Sequence, residues 1–170
     1  IHIHCHESAS EITESLQAYD CRPIERLEKL GLLLPQTQLV HMTQITEDDI
    51  ALARDHNCHI MHCPQSNLKL ANGFCPVVKF IENEVNVALG TDSAASNNTL
   101  DLFSEIKSAS LLAKAVSGDA ASLDAHAALR MATINGAKAL AWDNEIGSLE
   151  SGKQADIIAV KIDSISQQPL

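Results

Sequence analysis

Residues 86–92, Asn86-Val-Ala-Leu-Gly-Thr-Asp92, decide how this chain folds. Val87, Ala88 and Leu89 form an apolar run too short for a helix and bounded by glycine, which reads as a strand buried on both faces. It ends on a carboxylate. Three earlier stretches have the same form. Residues 1–5 (Ile1-His-Ile-His-Cys5) alternate like a strand and lead into Glu7, residues 37–42 enclose His41, and residues 58–62 end on His62.

Helical signals separate these strands. The stretch following residue 5 through Leu34 reads as helical, is broken at Arg22-Pro23, and would turn Leu27, Leu30, Leu33 and Leu34 toward a core. Thr46 is an N-cap with Asp49 three positions on, opening a helix to about residue 56. Pro64 ends the third strand in a polar loop over 65–67, and a helix follows over about 76–84. Beyond the strand at 86–90 the sequence predicts a loop over 91–98, a helix over about 100–116 and one amphipathic helix over about 123–141. Gly147 and Gly152 then bracket a turn, and residues 155–160 read as a strand of a small β appendage.

Strands alternating with helices describe parallel βα units in a covered sheet. Alternation fits a closed barrel and a doubly wound open sheet equally. The strand ends discriminate, because His4 with Glu7, His41, His62 and Asp92 all fall at one structural phase. C-terminal strand ends converge on one face, which in a barrel holds the active site. Each residue alone has a bland explanation, as a satisfied histidine or a loop start, and their recurrence is the signal. A neutral imidazole suits zinc or iron, and a carboxylate three residues on can move protons beside the cation. His2, His4 and His6 share a strand face by parity, so the residues alone do not select one ligand. His41 can orient an attacking nucleophile and stabilise charge, and Asp92 can both coordinate and accept a proton.

Composition limits the partners. The 170 residues are 45% hydrophobic and 20% charged, as in a globular protein. With 22 acidic against 12 basic residues the formal charge is −10, which disfavours nucleic acid and anionic lipid and favours a small neutral or cationic ligand. No apolar run approaches the roughly 20 residues that span a bilayer. Five cysteines without a C-x-x-C pair predict reduced thiols in a cytoplasmic protein, with Cys5 and Cys63 as packing residues. Both ends read as interrupted, Ile1 inside a strand and Leu170 in a polar loop.

His4-Cys-His-Glu7, Val40-His-Met-Thr43, His62-Cys-Pro-Gln-Ser-Asn-Leu-Lys-Leu70, Leu89-Gly-Thr-Asp92 with Ala94-Ala-Ser-Asn-Asn98, and Gly147-Ser-Leu-Glu-Ser-Gly-Lys-Gln-Ala-Asp156 together resemble the amidohydrolase superfamily. The group they resemble most is the 5′-methylthioadenosine/S-adenosylhomocysteine deaminases. The resemblance implies an α/β fold, the C-terminal half of a (β/α)₈ TIM-type barrel over 1–142, and part of a small β-sandwich domain over 143–170. It implies one Zn²⁺ per subunit, with Fe²⁺ as the alternative, held here by His4 and Asp92, and by a His-x-His pair after the first strand that this chain does not contain. Glu7 matches the proton-shuttling glutamate, His41 the histidine after the sixth strand, and Asp92 also the base. His62 and Asn67, with Glu7 and Asp92, match positions near the substrate. Ser93 departs from the glycine usual after the aspartate.

The implied reaction is hydrolytic deamination of an adenosine-type ring to the inosine-type product and ammonia, with a purine nucleoside as substrate, the N-terminal half of the barrel as partner and homo-oligomerisation as a family-level expectation. Guanine, cytosine or triazine aminohydrolases share the same strand-end chemistry. A piece without the His-x-His pair is also expected to be inactive by itself, with unpaired sheet edges.

Overall fold

The computed structural model describes residues 1–161. Four parallel strands, β1 (His2–Cys5), β2 (Gln38–His41), β3 (His59–His62) and β4 (Asn86–Leu89), lie side by side in chain order. Helices α1 (Ala9–Tyr19) and α2 (Pro23–Lys29) connect the first pair, α3 (Glu47–Asp55) the second, and α4 (Pro64–Lys69) with α5 (Val77–Glu82) the third. After β4 come α6 (Ala94–Asn97), α7 (Leu102–Ser117), α8 (Ala125–Met131) and α9 (Ile134–Ala139).

Strand order chooses between the two architectures left open by alternation. A doubly wound sheet reverses direction at a switch point. Here every crossover steps the same way, and right-handed crossovers in one direction put all their helices on one face. Cys5, Leu39, Ile60, Val87 and Leu89 on that face pack with Ile24, Leu27, Ile50, Val77, Phe80 and Ala109 in one apolar cluster. Among the described residues the opposite face carries no layer of connecting helices, as expected for the inner wall of a barrel. The fold is therefore α/β, part of a TIM-type barrel. The inner wall starts with a polar layer in register, His2, Gln38, His59 and Asn86. His2 Nδ1 lies 2.8 Å from Gln38 Oε1 and Asn86 Nδ2 lies 3.0 Å from His59 Nδ1. Helix α9 sits against this end, accepting from Gln38 Nε2 at Ala139 O and from Asn86 Nδ2 at Asn135 O.

Local rules explain most boundaries. Thr46 caps α3 and Asp49 completes a reciprocal capping box, as expected from the sequence. Asp49 is buried and takes both nitrogens of an Arg22 fork, with Arg22 Nη2 to Oδ2 at 2.8 Å, tying α2 to α3.

Several expectations need correction. Leu27 and Leu33 are buried, but Leu30 and Leu34 are exposed, because α2 ends at Lys29 and the chain turns through Gly31 at φ +68°. The loop expected over 65–67 is helical: Pro64 stands in the first turn of α4, where its missing N–H costs nothing, so it starts a helix as well as ending a strand. The loop over 91–98 contains the single turn α6, capped by Ser93. The helix expected over 123–141 is split into α8 and α9 at Thr133, whose φ −130° and ψ −99° are not helical. Residues 155–160 form no strand: they pair with no described segment, and Ile157, Ile158 and Val160 are exposed. The rest of the appendage, from residue 162, lies outside the described residues.

Candidate metal and active site

The strands deliver their terminal side chains by leaving the pleat abruptly. His6, His41, Met42 and Asp92 all have positive φ, at 54°, 76°, 45° and 59°. For residues with a Cβ such backbone costs about 1–2 kcal/mol each. At β2 the effect is visible in the register. Leu39 faces the helices, so alternation alone would send His41 there too. Instead its ring meets that of His4, which is on the inner wall, edge to face with centroids 4.5 Å apart.

His4, Glu7 and His41 form a compact group, with one ligand atom from each within 4.8 Å of the others. His41 Nε2 lies 3.1 Å from His4 Nδ1, and the Glu7 carboxylate approaches His4 Nδ1 to 3.5 Å and His41 Nε2 to 3.8 Å. His41 is fully buried, Glu7 partly so, and the His4 side chain is half exposed. His41 Nδ1 lies 2.8 Å from Asn67 Oδ1, an acceptor, so Nδ1 carries the proton and Nε2 presents a lone pair. A proton on His4 Nδ1 or a shared cation satisfies that lone pair. Two imidazoles and a carboxylate, one imidazole anchored through its far N–H, suit zinc or ferrous iron. The donor set fits the implied metal.

Asp92 is outside this compact group but is coupled to it. Ser66 Oγ donates to Asp92 Oδ2 at 2.7 Å. Desolvation pushes the Asp92 carboxyl up, but the hydrogen bonds from Ser66, the Ser93 backbone and Ser96 outweigh it and hold the group below the usual carboxylate range. Ser66 and Asn67 are consecutive in α4, so one helical turn grips both Asp92 and His41. Glu105 in α7 holds that turn in place: its buried carboxylate accepts from Gln65 N at 3.2 Å and from Asn97 Nδ2 at 2.6 Å.

His62 and Asn67 are each 2% exposed, and each keeps one buried atom, His62 Nδ1 and Asn67 Nδ2, without a partner among the described residues. Burial pushes the His62 imidazole down to about 3. His6, which parity would have put beside His4, turns away. Its Nε2 accepts from Ile24 N at 3.1 Å and its Nδ1 faces Gln44 O at 3.0 Å, which uses both nitrogens in packing. The cysteines behave as expected: all five are free and buried, and desolvation raises Cys5, Cys58 and Cys63, Cys58 to about 11 and Cys63 to about 12.

Four contributors escaped the sequence reading: Ser66, Glu11, Asn72 and Glu105. Glu11 takes the His6 and Glu7 backbone N–H groups at 3.0 and 2.7 Å, fixing the turn that carries Glu7. Ser8-x-x-Glu11, a capping-box pattern with Ser8 capping α1, was the available signal. Asn72 Nδ2 donates to Glu7 Oε1 at 2.8 Å across 65 residues, for which no local pattern exists.

A parallel βα chain with a histidine–carboxylate cluster at its C-terminal strand ends belongs to the class of metal-site barrels. The family model for the Amidohydrolase family matches residues 1–169, and the chain belongs to that family. It is 53% identical over 170 residues to the 5-methylthioadenosine/S-adenosylhomocysteine deaminase of Teredinibacter turnerae, covering the whole of this chain and 38% of that protein. Among solved structures, an adenosine deaminase from Xanthomonas campestris with bound zinc superposes with a TM-score of 0.96 at 50% identity, over 99% of this chain and 38% of that one. An atrazine chlorohydrolase from Arthrobacter aurescens TC1 complexed with zinc superposes at 0.92 with 26% identity, over 99% of this chain and 37% of that one. The chain thus spans about 38% of the length of the curated relatives it matches. Zinc-bound neighbours and the donor set agree on a metal cofactor.

Proposed function

We propose that this chain provides the proton-handling side of a metal-dependent hydrolytic deaminase acting on adenosine-type rings, 5′-methylthioadenosine and S-adenosylhomocysteine among them. The observation that carries the reading is the convergence of His4, Glu7 and His41 on one point at the strand ends. Names borne by relatives above 50% identity support the adenosine class, whereas the triazine-hydrolysing neighbour stands at 26%.

His4 and Asp92 would hold zinc, or ferrous iron, together with ligands from outside this chain. When bound, the cation makes water nucleophilic at neutral pH. Glu7 gives a proton to the ring nitrogen beside the amine-bearing carbon as water oxygen bonds to that carbon. His41, its tautomer set by Asn67, orients the nucleophile. Asp92 accepts the proton released from water. Transfer of a proton to the exocyclic amine then breaks the carbon–nitrogen bond, so ring amine plus water becomes ring carbonyl plus ammonia. His62 and Asn67 border the substrate through their unpartnered buried atoms. Buried reduced thiols favour a cytoplasmic setting, and among the described residues no helix is long and apolar enough to cross a membrane.

The test uses the full-length protein with methylthioadenosine, adenosylhomocysteine, adenosine and guanine, read by ammonia release. Turnover of the adenosine-type compounds, lost in Glu7→Gln with metal content intact, is the expected result. Release from guanine alone, or normal turnover by Glu7→Gln, overturns the proposal.

A further inference from the structure

We propose that Asn72 is the positioning residue for Glu7, holding one carboxylate oxygen so that the other is presented to the site. The inference rests on the reading of Glu7 as the proton carrier and goes beyond it by dividing the carboxylate into two unlike ends. Asn72 Nδ2 donates to Oε1 at 2.8 Å. An amide NH₂ has hydrogens to give and no lone pair with which to accept, so this bond engages Oε1 as an acceptor and fixes that end of the carboxylate. Oε2, the oxygen 3.5 Å from His4 Nδ1, is left as the end turned toward the strand-end cluster.

The donor is held as firmly as the acceptor. Asn72 N donates to Asn67 O at 3.0 Å, and Asn72 O accepts from Gln44 Nε2 at 2.6 Å. The Thr43 hydroxyl lies between the two partners, 2.8 Å from Glu7 O and 3.1 Å from Asn72 O. Gly73 follows at φ +114°, and a Cβ there would come within 2.8 Å of the same Gln44 Nε2, so the turn that aims Asn72 needs glycine. On the other side Glu11 fixes the Glu7 backbone at 2.7 Å. Both ends of the Glu7–Asn72 bond are therefore anchored independently of it, and the carboxylate is oriented before any substrate arrives. Such preorganisation affects the rate of proton transfer more than binding.

The experiment is a double-mutant cycle in the full-length, metal-loaded protein. Asn72→Ala is expected to lower kcat by about 10- to 100-fold, with KM, metal content and thermal midpoint close to the parent. Asn72→Asp, of the same shape but without the donor, should lose at least as much, and covers the case in which the alanine variant folds poorly. In a Glu7→Gln background the same change should cost less than about twofold, because residues acting as a unit are non-additive. A crystal structure of Asn72→Ala should show the Glu7 carboxylate rotated from its present position. Parental kcat in both variants, additive losses, or a change confined to KM overturns the assignment. If Glu7→Gln alone is fully active, the proton-carrier reading fails first and takes this inference with it; a crippled Glu7→Gln with unaffected Asn72 variants sinks the inference alone.

Discussion

Truncating Asn67 to alanine removes the acceptor of the His41 Nδ1 proton, and the consequences follow from burial. Both side chains are shielded from bulk solvent, at 2% and 0% exposure, so the bond lost at 2.8 Å is not simply exchanged for one to bulk water. A buried N–H left without a partner costs about 1–3 kcal/mol. The ring can escape by moving its proton to Nε2, which removes the lone pair that faces His4. In metal sites the loss of such an anchoring partner costs about 10- to 100-fold in metal affinity or activity. Asn67→Ala in the full-length protein should therefore lose turnover by that factor and unfold at lower urea concentration. Asn67→Asp keeps an acceptor at the same place and should retain most of the activity. The assay pairs ammonia release with metal content after dialysis against a weak chelator. Asn67→Ala within twofold of the parent, or both variants equally impaired, would refute the tautomer argument.

Other consequences can be measured on the same protein. Asp49→Ala should destabilise it by about 3 kcal/mol, by unpairing Arg22 and uncapping α3; a urea shift equivalent to less than about 1 kcal/mol contradicts the network. Acid stability should depend on His62. Its folded-state imidazole protonates only at about 3, against about 6.5 unfolded. Between those values the unfolded chain binds the extra proton, so stability falls on acidification through the window, by about 1.4 kcal/mol per pH unit. His62→Gln should flatten that slope, and identical slopes from pH 6 to 4 would count against a buried neutral ring. Thiol reagents at neutral pH should leave Cys5, Cys58 and Cys63 unlabelled in the native protein, checked by peptide mapping; rapid labelling of any of them means the burial is wrong.

The parts of this fold that could be read from the sequence are those set by neighbours in the chain. Short apolar runs marked β2, β3 and β4, alternation marked β1, and Thr46 with Asp49 marked α3 because capping is local. Pro64 misled because proline serves equally as a terminator of one element and the first residue of the next. Residues 155–160 have strand composition, but composition cannot supply a pairing partner. At the site, His4 with Glu7, His41, His62 and Asp92 stood out by their common phase at the strand ends. Ser66 and Asn72 were not, because serine and asparagine have unremarkable roles almost everywhere and their partners lie 26 and 65 residues away. The choice of His4 over His6 needed the resemblance, since parity treats them alike until the backbone turns at His6.

Having Ser66 and Asn67 side by side on α4 binds the fate of two strands to one short helix. A helix of six residues has few internal bonds to resist displacement, so its alignment comes from outside, through the Glu105 carboxylate. A disturbance at Glu105, on an outer helix, would reach His41 and Asp92 in the same instant, detuning both without touching either. Loss of function from substitutions in α7 is thus to be expected in a protein whose reactive groups remain chemically whole.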